Sequence, residues 1–538
     1  MPKYILTNGA ELTITSDGLS SITLPSGGSD PGRKIANGKI MIVNGGATWG
    51  EPAALVISPI PSKSISSSSN SATVIHNHGT VVVTYEYVMS GNTITVTAKV
   101  ENKHTRFSLD VPRFQGLTFD FGSAPTGYLP VWHTTYLQAN GVALMHPSSW
   151  VPIGANWGRG SDYSIGFSPL NVPITQGVVI WDWDWVQQGN TVWRAFKYNL
   201  VGRISPGCSR TFKWCFTIDT NKNADITTAL ITPYKPYLND ALSGYGCTSV
   251  DHRPSIITVV SKDAASIIAG NPYGMYDRRR LDSVAGATEY CDWVLPAAAR
   301  SLAKGVVIWA PGGYDARECM YRPDFDVWPP EVEAAWPTVV QRFEAANVKL
   351  GMCARPGEAA VRQAWKIDAP MSLSTESNQV KWIINRFNSV IARGCGRYFY
   401  LDTFGMRWND VFIARSIVDA IGRGSILYAE KINDVVASVC GGYQEVIYNS
   451  AKKIYSFTTM SGDALAVLRW IWPNLHWANR IAISPNVIQP GQTVTPLEWS
   501  MMQKMDVMIG DWEAATKVIA DHCALMVNKY MNADGSWK

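Results

Sequence analysis

The hydrophobic pattern of the chain changes period once, near residue 240. Before that point apolar and polar residues alternate in pairs. ELTITSDGLSSITLP, GKIMIVNGG, ATVIHNHGTVVVTYEYV and NTITVTAKVEN each put every second residue on one face, which is the mark of a half-buried strand. Asn77-His78-Gly79 and Ser90-Gly91-Asn92 supply turns between them. The serine-rich run SKSISSSSNSA, residues 62–72, reads as a loop. No long segment of helical period occurs before about residue 280, so residues 1–235 are predicted to form an all-β supersandwich of two large sheets. ITPYKPYLND, residues 231–240, carries two prolines that oppose both helix and central strand; the predicted linker is 236–250.

From about residue 250, short apolar strands alternate with helical segments. KGVVIWAPGGY runs into a glycine turn, and the segment after it places Val332, Trp336, Val339, Val340, Phe343 and Ala346 on one helical face. KLGMCARPGE, RYFYLDTFG, SILYAEKIND and KMDVMIGDW read as further strands, and QVKWIINRFNSVIARG and DVFIARSIVDAIGRG as helices. Such repetition predicts one (β/α)8 TIM-type barrel over 251–538. A doubly wound open sheet is the alternative, but no GxGxxG or GxxxxGK[ST] opens any unit, so nucleotide binding has no support.

Composition adds one signal. The chain of 538 residues carries 22 Trp and 22 Tyr. Flat apolar rings stack on the C–H faces of sugars, although large sheets and barrels also bury Trp well. The net charge of +4 is evenly spread, and Arg278-Arg279-Arg280 is too short a run for a nucleic-acid groove. No apolar stretch reaches the ~18 residues of a membrane span, so no membrane partner is expected. The opening MPKYILTNGAELTI lacks the pattern of a secretory signal, which leaves the compartment open between the interior of a cell or phage particle and a secreted protein whose leader is gone. Nine cysteines without a CxxC argue against both a disulfide framework and a zinc site, and free thiols are expected even at Cys208 and Cys215. His76-x-His78 lacks a third ligand, so no metal is expected, and nothing requires an organic cofactor.

In a (β/α) barrel, reactive groups sit where strands end. Tyr398-Phe399-Tyr400-Leu401 delivers Asp402, and Ile426-Leu427-Tyr428-Ala429 delivers Glu430, one helix later. Two carboxylates on one rim are what glycoside hydrolysis uses, one beside the anomeric carbon and one beside the leaving oxygen. Helix capping or a structural ion pair is the alternative for each. A strand ending in Tyr-Leu-Asp-x-x-Gly, followed one unit later by a strand ending in Glu, resembles the retaining α-glycosidases of the α-amylase-like and endo-α-N-acetylgalactosaminidase-like kinds. The second kind also places a large β-sandwich before its barrel. The resemblance implies Asp402 as nucleophile and Glu430 as acid/base. The α-galactosidase-like families share the layout but usually take an Asp acid from later in the barrel. The α-amylase kind has Arg two residues before the nucleophile; this chain has Tyr400, so starch activity is not implied.

The same strand-end logic nominates substrate-binding residues. They are Trp309, Arg355, Asp511 and Trp512 at strand ends, Asp324, Asp326 and Trp328 on a loop, and Trp472 in a Trp-rich stretch with Trp470 and Trp477. Trp181, Trp183 and Trp185 share one face of an N-terminal strand, either a sugar platform or a packed face. The expected partner is an oligosaccharide or glycoconjugate. A non-catalytic glycan-binding or phage structural protein and a polysaccharide lyase are the competing readings.

Overall fold

The structure is a computed structural model. It describes most of the chain; the longer segments outside the description are 26–33, 45–61, 121–134, 146–154, 171–178, 262–275 and 314–329, with shorter ones that include 355, 403 and 406–409. The described residues divide into two compact units, Met1–Ala241 and Leu242–Lys538.

Among the described residues the first unit holds two large antiparallel sheets, of ten and seven strands, and a small two-stranded one. Thr93–Asn102 shows the reason for the layering, because every second residue from Ile94 to Val100 is buried. Ile14 and Ile22 from one sheet and Val83, Ile94, Val96 and Phe216 from the other share one buried core. Trp157 and Trp214 are fully buried in this unit, so part of the tryptophan surplus goes into packing.

Two local expectations are corrected here. Residues 62–72 are not a loop: Ser62–Ser67 is a strand paired antiparallel with Ser71–Asn77. Its residues are all exposed, so no alternation marks it, and the backbone ladder makes it the edge of the seven-stranded sheet. The proline pair near 231–240 does not exclude a helix either, since Tyr234–Leu242 is helical. Pro236 sits in the first turn, where the missing N–H has no intrahelical partner to lose.

The second unit is a closed parallel barrel. Its eight strands are Ser255–Ser261, Gly305–Gly313, Lys349–Ala354, Tyr398–Leu401, Ile426–Ala429, Gly441–Asn449, Trp477–Ile481 and Asp506–Gly510, and the first pairs with the last. Helices such as Val284–Ser301, Pro330–Ala345, Ser377–Ala392 and Asp410–Ile421 fall between them. Pro330–Ala345 buries Val332, Trp336, Val339, Val340 and Phe343 along the stripe that the spacing predicts, with Glu331 and Glu333 in its first turn, where the helix dipole favours them.

Strand registers fix which residues line the barrel. Starting at Ile257, the pairings run through Val307 and Gly351 to Tyr398 and Ile426. Continued with the registers Tyr428 to Gly441, Gly442 to Trp477, Ala478 to Asp506 and Met508 to Ser255, the path re-enters the first strand at position 249, eight residues below 257. A stagger of eight stacks the inward side chains in tiers drawn from alternate strands. Val307, Tyr400, Tyr443 and Met508 form one tier, all within the buried barrel core. The Tyr400 and Tyr443 rings confirm it, with centroids 5.1 Å apart.

Candidate active site

The tiers continue upward to the mouth formed by the strands' C-terminal ends. Above the Tyr400–Tyr443 tier the odd-numbered strands contribute Ile257, Cys353, Glu430 and Arg480. Above that the even-numbered strands contribute Asp402, Glu445 and Gly510. Asp402 and Glu430 each lie one residue past a strand but remain on the ladder, because the Asp402 N–H donates to Ala354 O at 2.8 Å and the Glu430 N–H to Leu401 O at 2.9 Å. Tyr400 and Tyr428 belong to the barrel core, so Asp402 and Glu430, two residues on, take the same inward parity. Asp402 is 7% exposed and Glu430 half-buried. Neighbouring strands are about 4.8 Å apart, which brings the two carboxylate-bearing backbones side by side.

Glu445 is the mouth residue that sequence reasoning passed over. It stands half-buried on the sixth strand in the tier of Asp402, and its backbone pairs with Arg480. GGYQEVIYNS reads poorly as a strand because it opens on two glycines, yet those glycines are needed. A Cβ on Gly442 would lie 2.6 Å from the Trp477 ring, and one on Gly441 2.5 Å from His476 O.

The loops after the fourth and fifth strands are stitched together beside the two carboxylates. The Lys431 N–H donates to Phe404 O at 3.0 Å, and the Gly405 N–H to Asp410 Oδ2 at 3.1 Å. Gly405 has φ +97°, and a Cβ there would fall 1.7 Å from Lys431 O. The Gly of Tyr-Leu-Asp-x-x-Gly is thus the position where one loop passes the other. Gly405→Ala is expected to push the loops apart and lower kcat on the order of a hundredfold while the far-ultraviolet circular dichroism is unchanged. Kinetics and circular dichroism on the same preparation check this.

On the opposite wall, Arg480 Nη1 meets Glu513 Oε2 at 2.8 Å, and the same oxygen accepts the Gly510 N–H at 2.6 Å. Asp511 is buried and accepts from Thr258 Oγ1 at 2.7 Å, at the start of the helix Asp511–Ala515. Trp309 lies in the second strand, and Trp512 follows Asp511; their side chains are outside the description, as are those of Trp181, Trp183 and Trp185. Arg355, Asp324, Asp326 and Trp328 lie outside the described residues altogether. Trp472 is not at the mouth. It precedes the seventh strand, donates its indole N–H to Asp434 O at 2.9 Å, and lines a cavity of about 470 Å³ at the barrel foot with Cys247, Cys440 and His476.

The foot carries a buried ionic cluster. Asp506 opens the eighth strand and receives His252 Nδ1 at 2.8 Å on one oxygen. The other takes His476 Nδ1 at 2.8 Å, Lys304 Nζ at 2.5 Å and the Tyr428 hydroxyl. His252, His476 and Asp506 form a set that suits a metal ion by residue type. Lys304, with a fully buried side chain, already supplies the cation against that carboxylate, so the cluster is an internal ion pair.

The fold is similar to that of solved structures. The sequence matches no family model and no curated protein. An α-N-acetylgalactosaminidase from Bifidobacterium bifidum matches with a TM-score of 0.55 at 11% identity, over 98% of this chain and 93% of that one. The fold is α-glycosidase-like. Within this α-glycosidase-like fold, a GH36 α-galactosidase from Geobacillus stearothermophilus matches at a TM-score of 0.50 and 10% identity, over 98% of this chain and 85% of that one. A GH31 sulfoquinovosidase from E. rectale gives 0.50 and 9%, over 98% and 82%. The sandwich-like sheets followed by an eight-stranded barrel are consistent with the domain layout of the GH36 structure.

Proposed function

We propose that the chain is a glycoside hydrolase that cleaves an α-linked bond of an oligosaccharide or glycoconjugate by double displacement. The observation that carries this reading is the pair Asp402 and Glu430, inward-facing on adjacent strand ends at the mouth of an α-glycosidase-like barrel. Asp402 attacks the anomeric carbon while Glu430 protonates the departing oxygen. Water, deprotonated by Glu430, then releases the sugar. Adjacent strands favour this retaining route, because a retaining pair stands roughly 5–5.5 Å apart and an inverting pair must leave room for a water between.

Glu445 gives a second reading within the same chemistry, with the acid on the sixth strand, later in the barrel as in the α-galactosidase-like pattern. The two are separated by leaving-group dependence, since a good leaving group departs without a proton. Glu430→Gln is expected to cripple cleavage of a natural glycoside far more than formation of the glycosyl-enzyme from an activated aryl glycoside. Azide should restore turnover and give a glycosyl azide of the substrate's own anomeric configuration. If Glu445→Gln shows this behaviour and Glu430→Gln loses activity uniformly on good and poor leaving groups, the acid/base is Glu445.

A further inference from the structure

We infer that Arg480 is a substrate-holding residue, whose Nε–H takes a hydroxyl oxygen of an uncharged sugar at the barrel mouth. The inference rests on the glycosidase reading for its ligand and on independent geometry for its residue. Ala478 belongs to the barrel core, and Asn479 reaches outward to Ser500 on the helix that precedes the eighth strand. Alternation therefore turns Arg480 inward, into the tier of Glu430 and one tier below Asp402.

Its guanidinium is held through Nη1. Nη1 donates to Glu513 Oε2 at 2.8 Å and reaches Met508 O at 3.5 Å, whereas Nε is buried with no hydrogen-bond partner among the described residues. Arg480 is 4% exposed, so that donor is shielded from bulk solvent. A buried donor left unpaired is costly, and such groups mark places where something else completes the hydrogen bond. Glu513 is itself anchored on the Gly510 N–H, so the guanidinium is fixed before any ligand arrives.

The charge balance selects the class of ligand. The pair Arg480–Glu513 is neutral as a unit and nine-tenths buried on both sides. A neutral buried pair offers little to a sugar carboxylate or sulfonate, whose desolvation it does not offset, but it offers a directed N–H to a hydroxyl.

Truncating Arg480 alone would strand the Glu513 carboxylate, so the decisive variant is Arg480→Met with Glu513→Gln. This swap removes the ion pair together with its charge and keeps an acceptor for Gly510. Thermal unfolding of Arg480→Met, of the double variant and of the wild type is measured beside calorimetric binding of neutral monosaccharides, their uronic acids and aryl-glycoside turnover. The double variant is expected to regain stability over Arg480→Met, yet bind the neutral monosaccharide about tenfold to a hundredfold more weakly than wild type. KM should rise by a similar factor. A double variant that is stable and binds and turns over like wild type overturns the inference, because Arg480 is then only a wall residue. Tighter binding of the uronic acid than of the neutral sugar by the wild type overturns the assigned class. Failure of the glycosidase reading shows differently, as a wild type that binds sugar and cleaves no glycoside, with the Arg480 effect on binding still readable.

Discussion

Asp402→Asn is expected to lower kcat by on the order of 10⁴ on every substrate the wild type cleaves, with the fold intact. Asparagine keeps the shape and hydrogen-bonding reach of the side chain but cannot form the glycosyl-enzyme. Asp402 sits on the ladder through its backbone N–H to Ala354 O, a bond that asparagine keeps. Deleting the side chain sharpens the test: Asp402→Gly with azide should resume cleavage in one displacement and give the glycosyl azide of inverted configuration. Together with the retained product expected of Glu430→Gln, that pair of outcomes assigns nucleophile and acid/base by stereochemistry. Activity of Asp402→Asn within about tenfold of wild type would remove Asp402 from the mechanism.

The largest stability effect is expected at the opposite end of the barrel. Asp506→Asn should destabilise the barrel by about 3–5 kcal/mol, because Lys304 is left as a buried cation without its anion. Replacing both partners by apolar residues, Asp506→Leu with Lys304→Met, should recover most of that loss, which would show the single-variant effect to be stranded charge. The pH dependence follows in sign. Burial pushes the Asp506 carboxyl up, but Lys304, His476 and His252 outweigh it and hold the group well below the usual carboxylate range. A depressed carboxyl contributes stability that is complete above its unfolded value of about 4 and is lost as pH falls towards the folded value. Wild-type melting temperature should therefore fall below about pH 4, and the Asp506→Asn series should lack that part of the slope. Equal acid slopes in the two proteins would place the sensitivity elsewhere.

Much of this architecture is legible in the sequence. Asp402 and Glu430 could be read because each follows four apolar residues on a short strand, and a helix between them makes the strands neighbours. Glu445 was not legible, because its place depends on a register that starts from Gly441 and Gly442, residues that look like a loop until Trp477 is seen against them. The foot cluster was hidden for a different reason. His252, Lys304, His476 and Asp506 stand at the beginnings of four separate strands, and only closure of the barrel brings them together. The strand Ser62–Ser67 escaped because an edge needs no buried side chains, and Tyr234–Leu242 because a proline in a first turn costs little. Asp511 was read from the right strand end, but its carboxylate is engaged by Thr258 beside a helix start.

The tiered interior also constrains how this barrel can change over evolutionary time. Inward and outward positions alternate along the fourth and fifth strands, so the site is written in a phase as well as in residue types. One residue inserted between Tyr400 and Asp402 would leave every side chain of the chain present and would turn the carboxylate from the mouth towards the surrounding helices. Two inserted residues would restore the phase and raise the carboxylate by about 6.6 Å along the strand, clear of Glu430. Insertions and deletions in the loops that follow the strand ends leave that phase untouched, but where the loops after the fourth and fifth strands meet at Gly405 their close packing sets a limit of its own. Change in length is therefore least constrained in rim loops away from that contact, while drift in the strands is confined to substitution.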